Sequence, residues 1–134
     1  MDYNDYDYDL IGFWVLTSAA ALVSITVGSL VHMRGGSRAP GLYLVLGVAA
    51  SIVYGIFAGI VVGAIFEPPY VPGLSEGRGL DLRGIGLIIG SWVGGALGVL
   101  ATVLMWTIST FIRWRLKRRT TEPVVGPDRQ VLPD

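Results

Sequence analysis

Three stretches of this chain contain no Asp, Glu, Lys or Arg: Leu10–Met33, Gly41–Phe66 and Gly84–Ile112, of 24, 26 and 29 residues. Nothing else in the sequence constrains the fold as strongly. At about 1.5 Å of rise per residue the shortest reaches about 36 Å as a helix, enough to cross a hydrocarbon core of about 30 Å. In lipid, an isolated segment of that length satisfies its backbone polar groups only as an α-helix. A water-soluble core has no room for three such runs in 134 residues. The expected fold is therefore an all-α integral membrane protein with three transmembrane helices. An acidic tail (1–9) precedes the three-helix domain (10–112), and a basic, then disordered, tail (113–134) follows it.

Composition agrees. Hydrophobic residues make up 52% of the chain, mean hydropathy is +0.61, and charged residues are only 15%, against roughly 25% in soluble domains. The formal net charge is zero, but the charges are segregated. Asp2, Asp5, Asp7 and Asp9 crowd the start, whereas Arg113, Arg115, Lys117, Arg118 and Arg119 crowd the end of the third span.

This segregation sets an expected orientation. Arg34 and Arg38 lie between the first two spans, and the five bases of 113–119 follow the third. The opposite side holds only Arg78 and Arg83. Basic residues near span ends are retained on the cytoplasmic side, so the N-terminus is expected outside and the C-terminus in the cytoplasm, in the plasma membrane. Tyr3, Tyr6, Tyr8, Trp14, Tyr43, Tyr70, Trp106 and Trp114 read as interfacial aromatic belts. Arg34–Pro40, with Gly35, Gly36 and Pro40, predicts a tight hairpin of the first two spans. Glu67–Arg83, with Pro68, Pro69, Pro72, Gly73, Gly77 and Gly79, predicts a turn-rich connector.

There is no cysteine, which excludes disulfides, thiolate metal sites and thiol-linked lipid anchors. The acidic N-terminus and long first apolar run do not fit a cleavable signal peptide. Arginine outnumbers lysine nine to one, which points to a GC-rich bacterial genome.

Small residues recur at every fourth position. Span two carries Gly47, Ser51, Gly55, Gly59 and Gly63, and span three carries Gly86, Gly90, Gly94, Gly98 and Thr102. Residues four apart stack on one helix face, so each span presents a smooth groove, a glycine zipper. Helices in lipid gain little hydrophobic free energy by associating. They gain from close backbone approach, which small residues permit. Two outcomes are open. The grooves of spans two and three pack against each other within one chain, or at least one of them faces another subunit. Ser91 and Gly95 widen the small surface of span three. Span one adds a weaker small face from Thr17, Ala20, Ala21, Ser24 and Gly28.

No catalytic constellation, cofactor motif or metal-ligand set is visible. The glycines of 77–86 follow no strand and make no dinucleotide fingerprint. The span interiors lack the ionisable groups that ion-coupled carriers use. His32, the single histidine, sits at the end of span one, where a cation suits the helix dipole. Tyr54 is the most pore-like polar group at membrane depth, yet is expected to pack. The bases 113–119 are expected to extend span three as a membrane-surface anchor that attracts anionic headgroups, and not to bind nucleic acid.

The expected function is that of a small, non-enzymatic multi-pass membrane protein, an accessory or structural subunit that self-associates or joins other membrane subunits. Its topology resembles that of phage holins with three membrane spans, which implies pore formation as the alternative. That resemblance extends to topology alone. A small carrier or channel component is the third possibility.

Overall fold

The computed structural model describes residues 5–36, 38–68 and 84–121. They form three α-helices: α1 (Asp5–Arg34), α2 (Ala39–Ile65) and α3 (Ile85–Thr120). All three are long and apolar enough to cross a membrane, and no strand occurs among the described residues. The connector beyond Pro68 and the tail beyond Thr121 lie outside the described residues, as do Tyr3 and Tyr70.

The helix ends follow local chemistry. Pro40 falls in the first turn of α2, where a missing N–H costs nothing and the fixed φ suits a helix. The N–H of Gly35 closes α1 on the Val31 carbonyl at 2.7 Å. Gly84 precedes α3 with φ +76°, a left-handed conformation that glycine adopts without a side-chain clash. At the other end α3 runs through the basic segment, with Lys117, Arg118 and Arg119 in its last turn, where cations oppose the negative end of the helix dipole.

α3 is the axis of the bundle. Of its most apolar window 39% is buried, against 17% for α1 and 11% for α2. Both α1 and α2 pack along α3 and touch each other far less. The tight turn at Gly35–Gly36 thus does not produce the close hairpin that its length suggests. The two helices leave the turn and lean on different sides of α3.

The interior is small and polar for its size. Its buried hydrophobic side chains are Leu16, Ala20, Tyr43 and Leu87, beside buried Thr17, Ser51, Ser91, Thr102 and Ser109. Large apolar side chains face outward all round, among them Met33, Trp14, Leu22, Val45, Ile65 and Trp92. A water-soluble bundle would reverse this arrangement. An apolar exterior around a core of small and hydroxyl side chains suits a lipid solvent.

The spacing of the helices differs along one glycine row. A Cβ on Gly59 would lie 2.6 Å from the Leu87 carbonyl oxygen and 2.8 Å from Ile88 Cα, whereas one on Gly63 would meet only the Leu87 side chain at 3.6 Å. Gly59→Ala is therefore expected to lower bundle stability by about 1–3 kcal/mol through overpacking. Gly63→Ala should be neutral or slightly stabilising, because alanine is the better helix former by about 1 kcal/mol. Reversible unfolding of both variants in detergent or bicelles measures the difference, and equal effects would contradict the geometry.

Candidate helix-packing site

Two seams meet on α3. The first joins it to α1, and the helices run parallel. Gly86 lies against Asp9, Gly90 against Phe13, Gly94 against Leu16 and Thr17, and Gly98 against Ala20. Each step moves about one turn along both helices. At Gly90 an added Cβ would approach Phe13 Cα and O to 2.8 Å, and at Gly94 it would strike the Leu16 carbonyl oxygen. Such positions admit no side chain without separating the helices. Leu87, 3% exposed, fills the opening left by Gly12 on α1.

The second seam joins α3 to α2, and the helices run antiparallel. Gly47 lies against Thr102, Ser51 against Gly95 and Gly98, Gly55 against Ser91 and Gly95, and Gly59 against Leu87 and Ile88. At Gly95 the contact is backbone to backbone, and an added Cβ would come within 2.8 Å of both Gly55 Cα and the Ser51 carbonyl oxygen.

The row members Gly86, Gly90 and Gly94 thus face α1, while Gly55 and Gly59 of α2 meet a neighbouring strip built on Leu87, Ser91 and Gly95. Gly98 touches both partners. The two four-residue rows meet each other only toward the end of α3, at Gly98 with Ser51 and Thr102 with Gly47. Period marks a face as smooth but does not say which neighbour it receives. The extra width supplied by Ser91 and Gly95 serves the second partner of α3, and that partner belongs to the same chain.

Hydroxyl groups tie the seams together. Thr17 donates to the Gly90 carbonyl at 3.4 Å and Ser24 to that of Gly98 at 3.4 Å. Ser91 donates to the Gly55 carbonyl at 3.2 Å. Thr102, fully buried, donates to Gly98 at 2.8 Å and lies 3.2 Å from the Ser24 hydroxyl. Ser51 turns back on Gly47 of its own helix at 2.7 Å.

Two tyrosines bridge the divergence between α1 and α2. Tyr43 donates to the Ser24 carbonyl at 2.7 Å, and Tyr54 to the Leu16 carbonyl at 2.7 Å. Tyr43 is 6% exposed, so it is a buried strut and not a member of an interfacial belt. Its hydroxyl occupies the space beside Gly28. Tyr54, the most pore-like residue by sequence, spends its hydroxyl on a neighbouring helix. Nearer the N-terminus of α1, Tyr8 donates to the Phe66 carbonyl at the end of α2.

His32 is half-buried between α1 and α3. Its Nε2 lies 3.2 Å from the Met105 carbonyl, which can only accept, so this nitrogen carries the proton. The ring sits edge-on to Tyr43 at 5.9 Å between centroids.

Arg113, Arg115, Lys117, Arg118 and Arg119 are exposed on the last turns of α3. Arg115 lies over the Phe111 ring at 4.8 Å and Arg118 over the Trp114 ring at 3.7 Å. These pairings, one turn apart, hold the guanidinium groups near the aromatic band.

No protein-family model, curated protein or solved structure matches this chain, so the site is read from its own geometry.

Interhelical hydrogen bonds within membranes average about 0.6 kcal/mol and reach about 1.7. Tyr54→Phe is expected to cost an amount in that range. Tyr54→Ala, which also removes the ring bridging α1 and α2, should cost about 3 kcal/mol or more. Unfolding free energies that place the two variants together would show that Tyr54 does not act as a strut.

Proposed function

We propose that this chain is a small non-enzymatic multi-pass protein of the plasma membrane, with its N-terminus outside and its C-terminus in the cytoplasm, serving as an accessory subunit of a larger membrane assembly. The orientation rests on the seven basic residues of 34–38 and 113–119 against Arg78 and Arg83 on the other side. A non-catalytic role is supported by the use made of polar groups at membrane depth. The hydroxyls of Thr17, Ser24, Tyr43, Tyr54, Ser91 and Thr102 engage main-chain carbonyls or one another, which leaves them little capacity to line a water path or bind a polar substrate.

The observation that carries the subunit reading is a notch on the outer side of the α2–α3 seam. It has a volume of about 250 Å³ and is walled by Ile52, Gly55, Ile56, Trp92, Gly95 and Ala96. The glycine rows themselves are engaged inside the chain, so contact with a second protein falls to the remaining surface. In this notch a partner's apolar side chain would reach the backbones of two helices at once, the close approach that stabilises association in lipid.

The pore-forming alternative gains less from the geometry. Thr26, Ser29, Thr107 and Thr110, which stand outside the seams, bond to carbonyls four residues back on their own helices.

The subunit reading predicts co-purification with one or more membrane proteins in mild detergent. Ala96→Phe fills the notch from an exposed position and should abolish that association while leaving the helical signal and unfolding midpoint unchanged. A monodisperse, partner-free monomer from native membranes would overturn the proposal. The orientation is checked separately. In the cysteine-free background, Asp7→Cys should react with an impermeant maleimide added to intact cells, and Thr121→Cys should not.

A further inference from the structure

The divergence of α1 and α2 leaves a second, larger cavity, of about 590 Å³. Its walls are almost wholly apolar, including Ala19, Val23 and Val27 of α1 and Leu46 and Ala50 of α2, and Tyr54 is its last wall residue along α2. From Ala19 to Val31 it runs about 18 Å along α1, and from Tyr54 to Ala39 about 22 Å along α2. A single leaflet of the hydrocarbon core is about 15 Å deep. The groove therefore covers one leaflet, from the bilayer middle to the turn between the helices.

A polymethylene chain of the surrounding lipid, no longer than one leaflet is deep, matches both the length of this groove and its apolar walls. Tyr43 and Ser24 line the groove, but the Tyr43 hydroxyl is bonded to the Ser24 carbonyl and the Ser24 hydroxyl to the Gly98 carbonyl. No polar atom on the walls asks for a polar guest.

Charge sits at the mouth. Arg34 follows the wall residue Val31 by one turn, and Arg38 immediately precedes Ala39, the last wall residue on α2. Both are exposed. The start of α2 carries no acidic side chain in its first turn, so nothing there offsets the two guanidinium charges.

We propose that this groove is a binding site for one phospholipid of the leaflet on the Arg34–Arg38 side, with an acyl chain between α1 and α2 and an anionic phosphate headgroup at the two arginines. The bases 113–119 form a separate surface on α3. The inference rests on the packing of α1 and α2 against α3 and does not depend on the accessory-subunit role.

The test is native mass spectrometry of the full chain released from nanodiscs of equal phosphatidylglycerol and phosphatidylcholine with identical acyl chains. The wild type should retain one lipid per chain, with phosphatidylglycerol strongly preferred. Ala50→Phe, which occupies the groove, should reduce retention of both lipids by about tenfold. Arg34→Gln with Arg38→Gln should leave chain binding in place and erase the preference, by about fivefold for each arginine. Lipid retention unchanged in Ala50→Phe overturns the proposal. So does a phosphatidylglycerol preference that survives the Arg34/Arg38 substitutions and disappears in Arg118→Gln with Arg119→Gln. Leu46→Cys separates the competing occupant: disulfide-linked dimers formed in the membrane would place a second copy in the groove and exclude the lipid.

Discussion

Close approach of helix backbones is the interaction on which this bundle depends. Lipid tails solvate a leucine surface as well as another helix does, so burial of apolar area gives little reason for three spans to associate. What remains is dispersion and hydrogen bonding at short range, and both require that nothing intervene. Gly90 and Gly94 on one side of α3, and Gly55, Gly59 and Gly95 on the other, remove the side chains that would hold the helices apart. Hydroxyls then reach carbonyls across the seams because the distance has already been closed. The glycines come first in this causal order, and the hydrogen bonds are their consequence.

This order explains the composition of the interior. A seam built from glycine is narrow and offers few places for branched apolar residues, so the buried set is dominated by serine, threonine and glycine. Where a larger residue enters, an opening receives it: Leu87 opposite Gly12, and the Tyr43 ring end beside Gly28. The bulky aliphatic residues are displaced to the outside, where lipid is their natural neighbour.

The three long apolar helices were legible in the sequence, because absence of charge over a membrane's thickness is a property of a single helix. Partnership was not legible. Gly86, Gly90 and Gly94 share their spacing with the row on α2, yet they meet Asp9, Phe13 and Leu16 on α1. The weak small face of α1, with Thr17, Ala20 and Ser24, pointed toward such a contact but did not say which helix would receive it. Tyr43 and Tyr54 show a related limit. A tyrosine near a span end suits the interface, and one near the middle suggests a polar path. Only the separation of α1 and α2, each packed along α3, reveals that both are long enough to cross a gap between backbones. The groove follows from the same separation, which no periodicity encodes.

The position of α3 has a consequence for biogenesis. The helix that organises the bundle is the last to leave the ribosome, and the two made before it have little surface in common. Until α3 enters the bilayer, α1 and α2 remain a loosely associated pair joined mainly by the hydrogen bonds of Tyr8, Tyr43 and Tyr54, with Gly59 and Ser51 turned toward lipid. Tertiary structure in this protein is therefore acquired in one late step, when the arriving third span inserts alongside both earlier helices. A nascent chain halted before Ile85 would be membrane-inserted yet unfolded, the state that membrane quality-control proteases recognise.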